Sequence, residues 1–87
     1  MIKTIWKFPL AVTQTQGISM PRHAEILCVQ AQGVGACIWA RVDPTFDKEQ
    51  RQIVIHGTGH EFEEYPNRYI GTFQSGAFVW HVFEALV

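Results

Sequence analysis

The segment that most constrains this chain is its last twenty residues, 68–87. They read Arg-Tyr-Ile-Gly-Thr-Phe, then Gln-Ser-Gly, then Ala-Phe-Val-Trp-His-Val-Phe-Glu-Ala-Leu-Val. Two β-rich runs around a short, glycine-bearing connection predict a hairpin. With a three-residue connection and Gly76 in the left-handed region, Thr72 is expected opposite Phe78 and Ile70 opposite Trp80. In the second run Phe78, Trp80 and Val82 share one face; Val79, His81 and Phe83 share the other. Both faces call for shelter from water. The 57–67 loop, a crossing strand or a second copy of the chain would each supply it.

The rest of the chain is punctuated in the same way. Gly17, Pro21, Gly33/Gly35, Pro44, Gly57/Gly59, Pro66 and Ser75-Gly76 cut it into pieces mostly too short for helices. Ile2 to Phe8 alternates as a half-buried strand that Pro9 is expected to stop. Gly17 is read as a turn before a short edge strand through Ile18 and Met20, and Pro21 to Ala24 as a further turn. Glu25 to Gln32 and Ala36 to Val42 form a second hairpin around Gly33-Val34, a pair suited to a type II′ turn. That register sets Gln32 opposite Gly35, Ala31 opposite Ala36 and Val29 opposite Ile38, with Cys28 and Cys37 diagonal on one face. Thr45 to Gln50 is given one helical turn, Arg51 to His56 a strand, and 57–67 an irregular segment. The expectation is one all-β domain over 1–87, a small antiparallel barrel or sandwich of five to seven strands.

Composition narrows the function classes. Charged residues are 17% of the chain, hydrophobic residues 47%, and the net charge is -1. A disordered chain is excluded on those numbers, and a broad basic nucleic-acid surface has no charge to build it. The sparse charge favours association, and a homodimer is expected. Two cysteines are too few for a disulfide framework. No apolar run reaches a membrane span, and the start Met-Ile-Lys-Thr-Ile-Trp-Lys lacks the pattern of a signal peptide. A cytoplasmic protein with reduced thiols is the expectation.

No catalytic residues, metal site or cofactor are assigned from the sequence. His56 and His60 stand four apart, but Gly57-Thr58-Gly59 interrupts the shared face that a zinc site needs. His81 is read as a buried, hydrogen-bonded imidazole, and His56 and His60 as loop groups. Cys28 and Cys37 lie in β runs with apolar neighbours, the setting of an inert thiol. Gly57, Thr58, Gly59 and His60 are the candidate ligand site, since amides around glycines and a threonine hydroxyl suit a phosphate or nucleotide. The alternative for the same residues is a tight bend. Glu61, Phe62, Glu63, Glu64 and Tyr65 are the candidate partner site: acids and aromatics on a long loop, matched to a basic surface or mimicking nucleic acid. A plain solvated loop is the alternative.

Ile-Trp-Lys-Phe-Pro-Leu at 5–10, Ile18-Ser19-Met20-Pro21, Ala24-Glu25-Ile26-Leu27, Trp39-Ala40-Arg41-Val42-Asp43-Pro44, Gly57-Thr58-Gly59-His60, Tyr69-Ile70-Gly71-Thr72-Phe73 and His81-Val82-Phe83-Glu84 stand at spacings that span nearly the whole chain. Together they resemble a family of short, uncharacterised phage and prophage proteins. The resemblance carries over no activity and no functional residue. It implies a phage-type gene product made in a bacterial cytoplasm. The function expected first is therefore a non-enzymatic binding protein for a host macromolecule, such as a defence or regulatory factor. Phosphate or nucleotide binding at Gly57–His60, an enzyme pairing His60 with Glu61, and a minor structural phage component are the alternatives.

Overall fold

The computed structural model describes residues 1–86; Val87, the end of the terminal segment, lies outside them. The strands are β1 (Thr4–Leu10), β2 (Thr15–Pro21), β3 (Glu25–Gln32), β4 (Gly35–Val42), β5 (Lys48–Gly57), β6 (Asn67–Ser75) and β7 (Phe78–Ala85). They form two antiparallel sheets, β1-β4-β3 and β2-β5-β7-β6. The all-β expectation holds, and of its two forms the chain takes the sandwich. The sheets meet along one side, where β3 lies against β6. Along the other side β1 and β2 are left as free edges.

Alternation fills the space between the sheets. Ala36, Ile38, Ala40 and Val42 of β4 all point inward and are buried. Ile53 and Ile55 of β5, Phe73 of β6 and Val82 of β7 meet them in the main core, with Leu10 and Val29. Met20, Ala24, Ala40 and Val42 make a second cluster under Trp6 and Phe8. A Cβ on Gly71 would stand 2.9 Å from Val29 Cγ1, so the sheets close tightly where β6 passes β3.

The β3–β4 hairpin has the expected register, Gln32 opposite Gly35 and Val29 opposite Ile38. Gly33 has φ 61° and Val34 a negative φ, as a type II′ turn requires. Cys28 and Cys37 are diagonal and free, and the Cys37 thiol donates to Gln32 Oε1 at 3.2 Å.

The β6–β7 hairpin departs from expectation by three positions. Ser75 pairs with Phe78, Phe73 with Trp80 and Thr72 with His81. Gly76, with φ 60°, is the first of two turn residues, so this connection repeats the geometry at Gly33 and has no third member. A bulge at Ile70 adjusts the faces further down.

Four other expectations are corrected. Pro9 does not stop β1, which continues to Leu10; as an edge strand, β1 can leave one side of its backbone unpaired. Gly17 makes no turn and sits inside β2, which is the expected edge strand but longer. Thr45 to Gln50 forms no helical turn. Asp43 instead folds a tight bend by accepting from the Thr45 amide (3.0 Å) and hydroxyl (2.6 Å), and β5 starts at Lys48. Those same two bonds hold the Asp43 carboxyl below its usual range. Finally, β7 is not dry on both faces: Phe78 is 63% exposed at the hairpin tip, while Val82 is fully buried.

Candidate functional site

β5 and β7 are neighbours, and their register sets His56 directly across from His81. Both side chains point away from the core, since their partners in alternation, Ile55 and Val82, point into it. Next to this pair β6 contributes Thr72, opposite His81, and Tyr69, opposite Phe83. The outer face of the four-stranded sheet thus carries a polar and aromatic cluster where a bare sheet face would need solvating groups.

His56 is not a loop group. It belongs to β5 and is only 7% exposed, because the segment after Gly57 folds back over it. Phe62 stacks on the imidazole, with ring centroids 3.8 Å apart and planes 13° apart. The Tyr65 hydroxyl shares a 2.8 Å hydrogen bond with His56 Nε2. Burial is the main cause, and the nearby His81 a second, of an imidazole held below its ordinary pKa. Burial likewise keeps the Tyr65 phenol protonated, aided by Glu64. The contact is therefore between two neutral groups at neutral pH. Phe83 completes the cluster, tilted against His56 on one side and Tyr69 on the other. The loop thus covers β5 at His56, while Val79, His81 and Phe83 on the outer face of β7 stay half-buried.

His81 is half-buried and hydrogen-bonded through both ring nitrogens, to the Thr58 hydroxyl (2.7 Å) and the Thr72 hydroxyl (3.1 Å). Thr72 in turn bonds the Tyr69 hydroxyl. With both nitrogens engaged, His81 orients its neighbours and has no free site for proton transfer.

Gly57, Thr58, Gly59 and His60 make a type II turn. The His60 amide donates to Gly57 O at 3.0 Å, and Gly59 takes φ 84° at the position that demands it. The Thr58 amide extends the ladder by donating to Val79 O at 3.2 Å. Two of the amides that would form an anion nest are thus used within the protein, leaving Gly59 and the exposed His60 ring to meet a ligand. The His60 ring lies over Gly57, where a Cβ would stand 2.7 Å from its Nδ1 and Cε1, and edge-on to Trp80 at 6.3 Å. It separates two clefts of about 300 Å³ each. One is walled by Val12, Gln14, His56 and Glu61, the other by Thr58, Phe78 and Val79; Gly57, His60 and Trp80 line both.

The five residues of the candidate partner site stay together on the loop. Glu61, Phe62, Glu63 and Glu64 are exposed and Tyr65 is half-buried against His56. Sequence reasoning missed His56, Trp80 and the 12–14 segment as their neighbours. All three depend on the β2–β5–β7–β6 order, which no local pattern discloses. Among the described residues no group of three or more His, Cys, Asp or Glu is arranged to hold a metal ion, and no helix is long and apolar enough to cross a membrane.

A family model described as a domain of unknown function, DUF7352, matches residues 1–86. The chain belongs to this family. Nothing among curated proteins and nothing among solved structures matches it. Two of its motifs have a structural account. In Tyr-Ile-Gly-Thr-Phe, Phe73 enters the core, Gly71 admits Val29, and Tyr69 and Thr72 join the histidine cluster. In Gly-Thr-Gly-His, Thr58 bonds His81 and Gly57 makes room for His60.

Proposed function

We infer that this is a non-enzymatic binding module whose 61–65 loop docks on the basic surface of a partner protein. The observation that carries the reading is Phe62. One side of its ring stacks on a buried imidazole, yet the residue is 48% exposed. An aromatic ring fixed before binding loses little freedom on association and supplies much apolar area. Three exposed carboxylates, Glu61, Glu63 and Glu64, flank it. They favour a partner rich in lysine and arginine and would steer its approach. Tyr69, 56% exposed two strands away, extends the patch. The resemblance to phage and prophage proteins supports a setting in which the partner is a host factor, met in a bacterial cytoplasm.

The test compares capture from bacterial lysate by the native protein and by a Phe62→Ala/Glu63→Lys/Glu64→Lys variant with unchanged circular dichroism. A partner held by the native protein should be lost by the variant and released by moderate salt. Equal capture by both overturns the reading.

The two clefts beside His60 favour a second reading, a small phosphate-bearing ligand at Gly57–His60. A nucleotide that raises the melting temperature of the native protein but not of His60→Ala supports it. A nucleotide screen that moves neither removes it.

A further inference from the structure

The sheet edges are not equally protected. β3 and β6 lie against each other. β1 is free but carries Lys7 and Pro9, two devices that discourage strand addition. β2 is also free; its one proline, Pro21, stands at its end, and Thr15 to Met20 contains neither a charge nor a proline. The Ile55 amide donates to Gln14 O at 3.0 Å, and Thr15 pairs with Val54. By alternation Gln16, Ile18 and Met20 bond inward to β5, while Thr15, Gly17 and Ser19 turn their amides and carbonyls outward. All three are exposed. Thr15 O accepts from the Thr13 hydroxyl at 3.1 Å; the backbone groups of Gly17 and Ser19 have no partner among the described residues.

We propose that this edge pairs with the β2 edge of a second copy of the chain, joining two four-stranded sheets into one. Antiparallel pairing about a two-fold axis sets Gly17 opposite Gly17 of the other copy and Thr15 opposite Ser19. That brings the outward groups of both strands into hydrogen-bonded pairs. The row is symmetric about Gly17, and a glycine at the axis sets no side chain against its own symmetry mate on the sheet face. The centre of the contact, Gln16, Gly17 and Ile18 beside Gln50 and Gln52, is uncharged, apart from Arg51, which is held by Glu84 on the core side. Two copies therefore meet without like-charge repulsion. This places the dimer at the β2 edge, two strands away from β7.

Ser19→Pro tests it, because it deletes only an outward amide and leaves the inward bonds of Ile18 and Met20 intact. The native protein should sediment at twice its 9.9 kDa mass at high concentration, and Ser19→Pro at the single mass with unchanged circular dichroism. Amide exchange of the native protein keeps the test valid if the variant misfolds: Gly17 and Ser19 should gain protection as concentration rises. A native protein that stays monomeric throughout, a dimer that survives Ser19→Pro, or Gly17 and Ser19 protection that arises only on adding an extended peptide from another protein would each overturn the second copy as occupant.

Discussion

At one end of the four-stranded sheet Arg51 and Glu84 face the core; at the other His56 and His81 face outward. The Arg51 side chain is 14% exposed and that of Glu84 6%. The guanidinium grips the carboxylate with two bonds, Nε to Oε2 and Nη2 to Oε1 (3.0 Å), and reaches the Ala24 carbonyl with Nη1 at 2.8 Å. Hydrogen bonding to Glu84 raises the Arg51 pKa further, so the charge never leaves. Ala24 sits at the entrance to β3, so the pair also ties one sheet to the other. At the histidine end the contact between His56 and Tyr65 uses no charge at neutral pH and fastens a loop instead of a sheet, and that end opens onto two clefts. Closed, fully bonded polarity is the mark of scaffold. Polarity that orders an exposed aromatic is where binding is to be sought.

The largest test of that division is Glu84→Ala. It leaves a buried guanidinium facing an empty site, and the expected loss is about 3–5 kcal/mol of folding stability. Replacing both partners with apolar residues of similar volume should recover most of it, because the cost lies in the orphaned charge. Urea unfolding of the two variants measures this. A loss under about 1 kcal/mol for Glu84→Ala would mean that the pair is screened by water and that the two ends do not differ in kind.

At the other end Phe62→Ala should cost only about 1 kcal/mol of stability, the scale of one aromatic stack. Its effect on partner affinity should be larger, at least about 2 kcal/mol if Phe62 anchors the interface. The comparison is sharpened by the ratio: Glu84→Ala unfolds without being specific to binding, and Phe62→Ala unbinds without unfolding. A Phe62→Ala protein that loses stability and binding in equal measure would make the loop part of the scaffold.

How far this division was legible beforehand depends on the range of the interactions. The β3–β4 register could be read because Gly33-Val34 is local turn chemistry and the flanking runs alternate. The β6–β7 register moved by three because Gln74 and Ser75 resemble loop residues while acting as the last residues of β6, paired with Val79 and Phe78. Pro9 and Gly17 were misread as breaks because both are tolerated at an edge, and edge position follows from strand order. That order rests on long-range pairings, β1 with β4 and β2 with β5, which leave no mark on any one segment. At the candidate site the acids and aromatics of 61–65 stood out by composition. Their fastening to His56 did not, since it needs the strand register and the fold-back of the loop together.

The smallest expected effect is a pH dependence that begins at the histidine end. His56 has an ordinary value of 6.5, and the folded protein holds it lower, mainly by burial. Between 6.5 and that lower value the unfolded chain binds the proton more readily, so stability is fully present above 6.5 and falls as the pH drops through the window. The Arg51–Glu84 end has no part in this, because the guanidinium does not titrate there. Asp43, held below its ordinary 3.8 by Thr45, contributes in a separate window at still lower pH. Urea unfolding of the native protein at a series of pH values should therefore lose stability below 6.5, with a shallower loss in His56→Gln, where an amide replaces the imidazole as partner of Tyr65. Because Phe62 and Tyr65 both rest on that ring, amide exchange across 61–65 should quicken in the same window while that of the buried strand β4 does not. Identical pH profiles for the native protein and His56→Gln would show that burial of this imidazole does not hold the loop, and the preorganised Phe62 on which partner docking rests would lose its support.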